Sequence, residues 1–199
     1  MKRYFFAASA ALLIAGTASA QHSSEKFGIG VKGGLNVYNI NNDDNTDYNS
    51  RVGFHAGLLG HLHLAPQLAL QPEVVYSQQG VKYNVGNVET RLNLDYINVP
   101  LMVQYMFDNG FRLQAGPQVG FLLGAKSKFG STEIDVKDQL NTVDFGIGAG
   151  IGYVHPPSGF GVDARYNLGL SNMNENSAAG KSYNRGFQLG VFYLFGHSK

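Results

Sequence analysis

The chain has no cysteine and no tryptophan. Without cysteine there is no disulfide, no thiolate metal site and no lipid-modified cysteine anchor. Charge is also scarce: Asp, Glu, Lys and Arg make up 15% of the residues, and the formal net charge is +1. No Lys/Arg-rich run or basic patch stands out, which argues against nucleic acid as a partner. Beyond the N-terminal segment, no apolar run approaches the roughly 20 residues a membrane helix needs. That last absence excludes helical spans only. Strands of a membrane barrel alternate apolar with polar residues, so their mean hydropathy stays modest.

What is present begins with an address. Lys2 and Arg3 precede an apolar stretch from Tyr4 to Ile14, and Ala18-Ser19-Ala20 has the small-x-small form of a cleavage site. The pattern predicts a Sec-type signal peptide over residues 1–20, with Gln21 as the new N-terminus. Loss of Lys2 and Arg3 would take the formal charge from +1 to −1. Residues 21–199 are then expected to form one domain, as suits this length.

That domain reads as apolar/polar alternation broken by turns, the signature of strands. The opening segment sets Phe27, Ile29, Val31 and Leu35 against Gly28, Gly30, Lys32, Gly34 and Asn36. The clearest segment sets Phe160, Val162, Ala164, Tyr166, Leu168 and Leu170 against Gly161, Asp163, Arg165, Asn167 and Gly169. Eight such segments follow one another. The fourth, about Leu92 to Phe107, changes phase: Leu92, Leu94 and Tyr96 are out of step with Ile97, Val99, Leu101, Val103 and Tyr105. A β-bulge near Tyr96 is expected to reconcile them.

The connections separate a membrane barrel from a soluble sandwich. Long polar links are expected at about 38–50, 84–89, 127–141 and 172–182. Between them fall tight ones at Ala65-Pro66-Gln67, Asp108-Asn109-Gly110 and Pro156-Pro157-Ser158-Gly159. Short periplasmic turns alternating with longer external loops characterise outer-membrane barrels. A closed ring also leaves no sheet edge in hydrocarbon. The fold expected is therefore all-β: an eight-stranded, antiparallel, up-and-down transmembrane β-barrel with both termini periplasmic. Its last strand, Phe187 to Phe195, alternates and ends on an aromatic, the form of signal read by the outer-membrane assembly machinery. Phe195 is not the final residue, which makes that match imperfect.

Several stretches resemble the PorT-like outer membrane protein β-barrel family of Bacteroidetes, a group of small porin-type barrels. They are Phe27-Gly28-Ile29-Gly30-Val31-Lys32-Gly33-Gly34-Leu35-Asn36, Leu70-Gln71-Pro72-Glu73-Val74-Val75-Tyr76-Ser77, Leu94-Asp95-Tyr96-Ile97-Asn98-Val99-Pro100-Leu101 and Gly116-Pro117-Gln118-Val119-Gly120. The resemblance spans nearly all of the chain after residue 20. It implies a barrel in the outer membrane of a Gram-negative bacterium and brings no catalytic residues with it. Some members are linked to protein secretion.

Candidate chemistry is sparse. Gly28-x-Gly30-x-x-Gly33 has the spacing of a dinucleotide fingerprint, but that motif needs a following helix, and none is expected here. His61-x-His63 puts two imidazoles on one strand face, a weak metal candidate, with His55 on the same segment. The Asn/Asp-rich first loop lacks the spaced pattern of a calcium loop. No nucleophile and base gather near the outer loops, so no enzyme is expected, and no cofactor is implied. The stronger set is Lys32, Glu73, Arg112, Asp144, Asp163 and Arg165, all on the inward face. Buried charges are tolerable only when paired, and eight strands leave room for little more than side chains. An ion-pair network filling the lumen is expected, with Arg112 and Arg165 serving the carboxylates. The function expected is a structural or surface-interaction role in the outer membrane, in contact with its lipid. The alternatives are a small-solute porin, a secretion-associated barrel and a secreted, lipocalin-like binder.

Overall fold

Alternation sends successive side chains to opposite faces of a strand. When one face is uniformly large and apolar and the other is small or polar, the sheet can close only with one of them inside. A computed structural model, which describes residues 27–42, 49–85, 88–175 and 180–195, shows which. The expected signal peptide and most of the Asn/Asp run lie outside the described residues.

The strands are β1 (Phe27–Asn42), β2 (Asn49–Ala65), β3 (Leu68–Val85), β4 (Val88–Met106), β5 (Phe111–Phe129), β6 (Thr132–Asp135), β7 (Val143–Val154), β8 (Phe160–Gly169) and β9 (Ser182–Phe195). Sequential neighbours pair antiparallel, apart from β6, which extends β5 as a short hairpin while β7 pairs with β5 itself. The ring closes where β1 meets β9, from Ile29 opposite Phe195 to Asn42 opposite Ser182. Eight strands thus make an up-and-down barrel, with β6 outside the ring. Among the described residues no helix is long and apolar enough to cross a membrane; crossing falls to strands.

The apolar face is outside. Leu35, Leu189 and Val191 are each about 60% exposed, whereas Lys32 and Glu73 are 6% and 2% exposed. A lipocalin-like binder would show the reverse, with its large apolar side chains lining a cavity. From Phe27 to Val37 the outward positions of β1 are Phe, Ile, Val, Gly, Leu and Val. That stretch measures roughly 33 Å along the strand, or about 25 Å along the axis at the usual tilt, the height of a barrel's apolar band. Aromatic rings collect at the short-turn end of this band. Tyr105 and Phe107 meet at 5.1 Å, Phe107 and Phe111 at 5.8 Å, Phe160 and Tyr193 at 4.8 Å, and Tyr193 and Phe195 at 5.1 Å.

The turn between β4 and β5 shows the local chemistry. Gly110 takes φ +88°, a region closed to most side chains. Asn109 Oδ1 accepts from the Phe111 amide at 3.0 Å. The Gly28–Gly33 motif lies inside β1, paired on both sides, so it forms no phosphate-binding turn.

Two expectations need correction. The third link is not a long loop: β3 and β4 run on until Val85 faces Val88, giving a tall hairpin joined by residues 86–87. Polarity at 84–89 resembles a loop because this part of the sheet stands above the apolar band. The register shift beside Tyr96 is real, but the extra residue sits on the partner strand. Tyr96 pairs with Leu122 and Asp95 with Gly124, leaving Leu123 as the bulge in β5. Strand β4 keeps its phase, so Leu94 and Tyr96 point inward.

Candidate functional site

The lumen holds whatever chemistry the barrel has. Inward positions of eight strands converge there, and buried polar groups must find partners. Glu73 on β3 is the hub. Its Oε1 accepts from Arg165 Nη2 at 2.7 Å and from Gln71 Nε2 at 2.8 Å; its Oε2 accepts from Arg165 Nη1 at 3.1 Å and from Lys32 Nζ at 3.3 Å. The Arg165 pair is bidentate, the strongest form of such a contact. Lys32 also donates to Asp163 Oδ2 at 2.9 Å. These residues come from β1, β3 and β8, so the contacts cross the barrel interior rather than running along its wall.

Neutral side chains continue the cluster. Arg165 Nη2 reaches Gln114 Oε1 at 3.1 Å, which also accepts from Gln104 Nε2 at 3.2 Å. Arg112 Nη1 donates to Gln104 Oε1 at 3.1 Å, and its guanidinium lies 5.5 Å over the Phe192 ring. On the other side His55 Nδ1 meets Asn36 Oδ1 at 2.7 Å, and Asn36 Nδ2 donates to Ser77 Oγ at 2.9 Å. Gln79 donates to the same hydroxyl at 3.2 Å and accepts from Asn184. Asn167 Nδ2 donates to the Tyr38 hydroxyl at 3.0 Å.

Four of the six charged residues expected to interact, Lys32, Glu73, Asp163 and Arg165, are brought together. Two are not. Asp144 faces inward but lies at the long-loop end of β7, too far along the barrel to join the cluster, and accepts from Ser171 Oγ at 2.6 Å. Arg112 reaches a glutamine and an aromatic face where a carboxylate was expected, because Glu73 and Asp163 are already taken by Lys32 and Arg165. His55, His61 and His63 share the inward face of β2. His61 and His63 meet edge to face with ring centroids 4.6 Å apart. Among the described residues no group of three metal-ligating side chains forms. In the β7–β8 turn, His155 Nδ1 and Ser158 Oγ are 3.0 Å apart, and Ser158 also accepts from the Phe160 amide, as a turn-closing contact does.

The polar cluster is bounded by apolar layers at both ends, which the sequence reading missed. Leu59, Val154, Phe192 and Leu194 pack together at the short-turn end. Toward the long loops, Ile40, Val81, Leu94, Tyr96, Leu122, Ala125 and Met173 form a second buried layer. Met173 follows β8 and turns into this layer: its amide donates to Ser182 O at 2.9 Å and its carbonyl accepts from Asn141 at 2.8 Å. The out-of-phase Leu92, Leu94 and Tyr96 were the available sequence signal for this layer.

A closed up-and-down ring, greasy outside and polar within, is the geometry of an outer-membrane barrel, and the family comparison agrees. A family model described as an outer membrane protein beta-barrel domain matches residues 19–175. The chain belongs to this family. It is accordingly an outer-membrane barrel. No curated protein sequence matches it. Neisserial surface protein A has a similar structure at TM-score 0.58 and 15% identity, covering 84% of this chain and 97% of that one. So does Ail, the attachment invasion locus protein of Yersinia pestis, at TM-score 0.55 and 16% identity, covering 86% of this chain and 99% of that one. At such identities the likeness is one of fold. Gly186 shows how this outer-membrane barrel fits its contents: a Cβ there would lie 2.5 Å from the Tyr38 ring.

Proposed function

We propose that this barrel is a structural or surface-interaction protein of the outer membrane whose lumen is filled, so that it displays its external end and passes no solute. The observation that carries the proposal is Glu73, held by Lys32 from one wall and by Arg165 from another, between two apolar layers. Breaking a buried pair leaves a charge uncompensated and costs about 3–5 kcal/mol. A solute path through this cluster would have to disrupt several such contacts at once. Met173, tied to Asn141 and Ser182 through its backbone, completes the upper layer.

The same reading orients the protein. The short turns, the start of β1 and the end of β9 face the periplasm, and the tall β3–β4 hairpin, β6 and residues 170–175 face outward. Residues 1–20 act as the export signal, and the alternating strand Phe187 to Phe195 presents itself to the assembly machinery. The lipid bilayer is the partner of the apolar band. Within the family, we place the chain in the PorT-like group on its β1, β3 and β4 motifs. The role includes no catalytic step. The surface and attachment names of the two structural neighbours are in keeping with this reading.

Planar-bilayer recording of the purified barrel tests it. A membrane that takes up the protein without steady current is the expected result. Stable open steps at low voltage would contradict it.

A further inference from the structure

Above the apolar band the outer face of the sheet carries charge in an unusual arrangement. Tyr76 and Asp95, joined by a 2.8 Å hydrogen bond, mark the upper limit of the band on β3 and β4. Four residues further along β4 stands Arg91, about 13 Å along the strand and about 10 Å along the axis at the usual tilt. Lys82 of β3 is its direct cross-strand partner on one side, and Lys128 of β5 on the other. Three cations therefore form one row across three strands, over about 10 Å. Like charges directly opposite in a sheet are destabilising, so the row carries a cost that the sheet repays only in part.

Nearby carboxylates offset it only in part. Glu89 takes Arg91 at 2.6 Å. Glu133 faces Lys128 across the strands but pairs with Lys126 instead, at 2.7 Å. Among the described residues neither Lys82 nor Lys128 has a carboxylate oxygen within ion-pair distance. A surface depression of about 390 Å³ opens at the same place, lined by Val88, Glu89, Arg91, Lys128 and Gly130.

We infer that the row Lys82–Arg91–Lys128 is a binding site for the phosphate-bearing headgroups of outer-leaflet lipid. The row lies on the lipid-facing side of the wall, continuous with the apolar band below it. Its height is that of the headgroup region. Its charge is complementary to phosphate, and cations flanking a membrane span bind anionic lipid. Bound phosphates would also remove the repulsion along the row, so the barrel gains stability when they are present. The inference rests on the membrane placement and is independent of whether the lumen is closed.

The test uses the folded barrel in three preparations: phosphatidylcholine vesicles containing bisphosphorylated lipid A, the same vesicles with dephosphorylated lipid A, and plain phosphatidylcholine vesicles with inorganic phosphate in the buffer. The readout is the temperature at which the compact gel band converts to the unfolded one. A rise of several degrees is expected with bisphosphorylated lipid A alone, and the rise should shrink as salt increases. In K82Q/R91Q/K128Q most of that rise should disappear, while K137Q/K181Q, with cations removed elsewhere, should keep it. Should the triple variant fail to fold, K82Q/K128Q leaves the Arg91–Glu89 pair intact and is expected to lose at least half. An equal rise with dephosphorylated lipid A, an equal rise in the row variants, or a rise produced by inorganic phosphate alone would each overturn the inference. Conductance does not enter, so an open pore would not be mistaken for failure here.

Discussion

Single residues decide whether the lumen can be filled. Glu73 holds four donors, and Gln at this position keeps the volume but removes the charge that Lys32 and Arg165 share. E73Q is expected to lower unfolding stability by about 3–5 kcal/mol, the cost of breaking a buried pair from one side. Urea titration of the refolded variant in micelles checks this, and a loss below about 1 kcal/mol would mean the cluster is wetter than its contacts imply. Gly186→Ala tests fit rather than charge. Its Cβ meets the Tyr38 ring at 2.5 Å, so a loss of about 1–3 kcal/mol is expected from overpacking, and the same change should cost less in a Y38A background than in the natural chain. At this scale the sequence was only partly legible. The inward phase of Lys32, Glu73, Asp163 and Arg165 followed from alternation alone. Which of them touch did not, because register around a ring is set by all eight strands together. Alternation therefore groups Asp144 and Arg112 with carboxylate–cation pairs they do not join, and it does not single out Asn36, Ser77 and Gln79 from ordinary polar positions.

Elements carry the departures from a uniform barrel. Alternation made β1, β8 and β9 legible along most of their length, and the tight turn at Asp108-Asn109-Gly110 announced itself by residue type. The β3–β4 hairpin did not: where a strand leaves the bilayer its outer face becomes polar, and a polar strand looks like a loop. The bulge was sensed through the conflict between Tyr96 and Ile97, yet its location depends on β5, where Leu123 is the unpaired residue. Deleting Leu123 alone would only make the ladder regular, whereas deleting Leu123 and Gly124 together should reverse the facing of the strand that follows, turning Ala125 outward and Lys126 inward toward the layer of Leu94, Tyr96 and Met173. The expected outcome is loss of the compact, heat-sensitive gel band. Deleting Ser131 from the exposed β5–β6 turn should leave that band in place, because β6 lies outside the ring.

For the whole molecule the central claim concerns which solvent each face meets: lipid against the outward Phe, Leu, Val and Ile, protein against the inward charges. Overall architecture was the most legible feature, since eight alternations with long and short links admit few closures. The two apolar layers inside were the least legible, because a side chain that is apolar and inward in a barrel breaks the very rule by which the barrel is recognised. The absence of tryptophan offers a direct test. Tryptophan placed singly at Val191, which faces outward, and at its neighbour Phe192, which packs inside with Leu59, Val154 and Leu194, reports the two environments one residue apart. In vesicles of lipid brominated along the acyl chain, V191W should be strongly quenched and F192W nearly unaffected. Equal quenching at both positions, or stronger quenching at 192, would contradict the account.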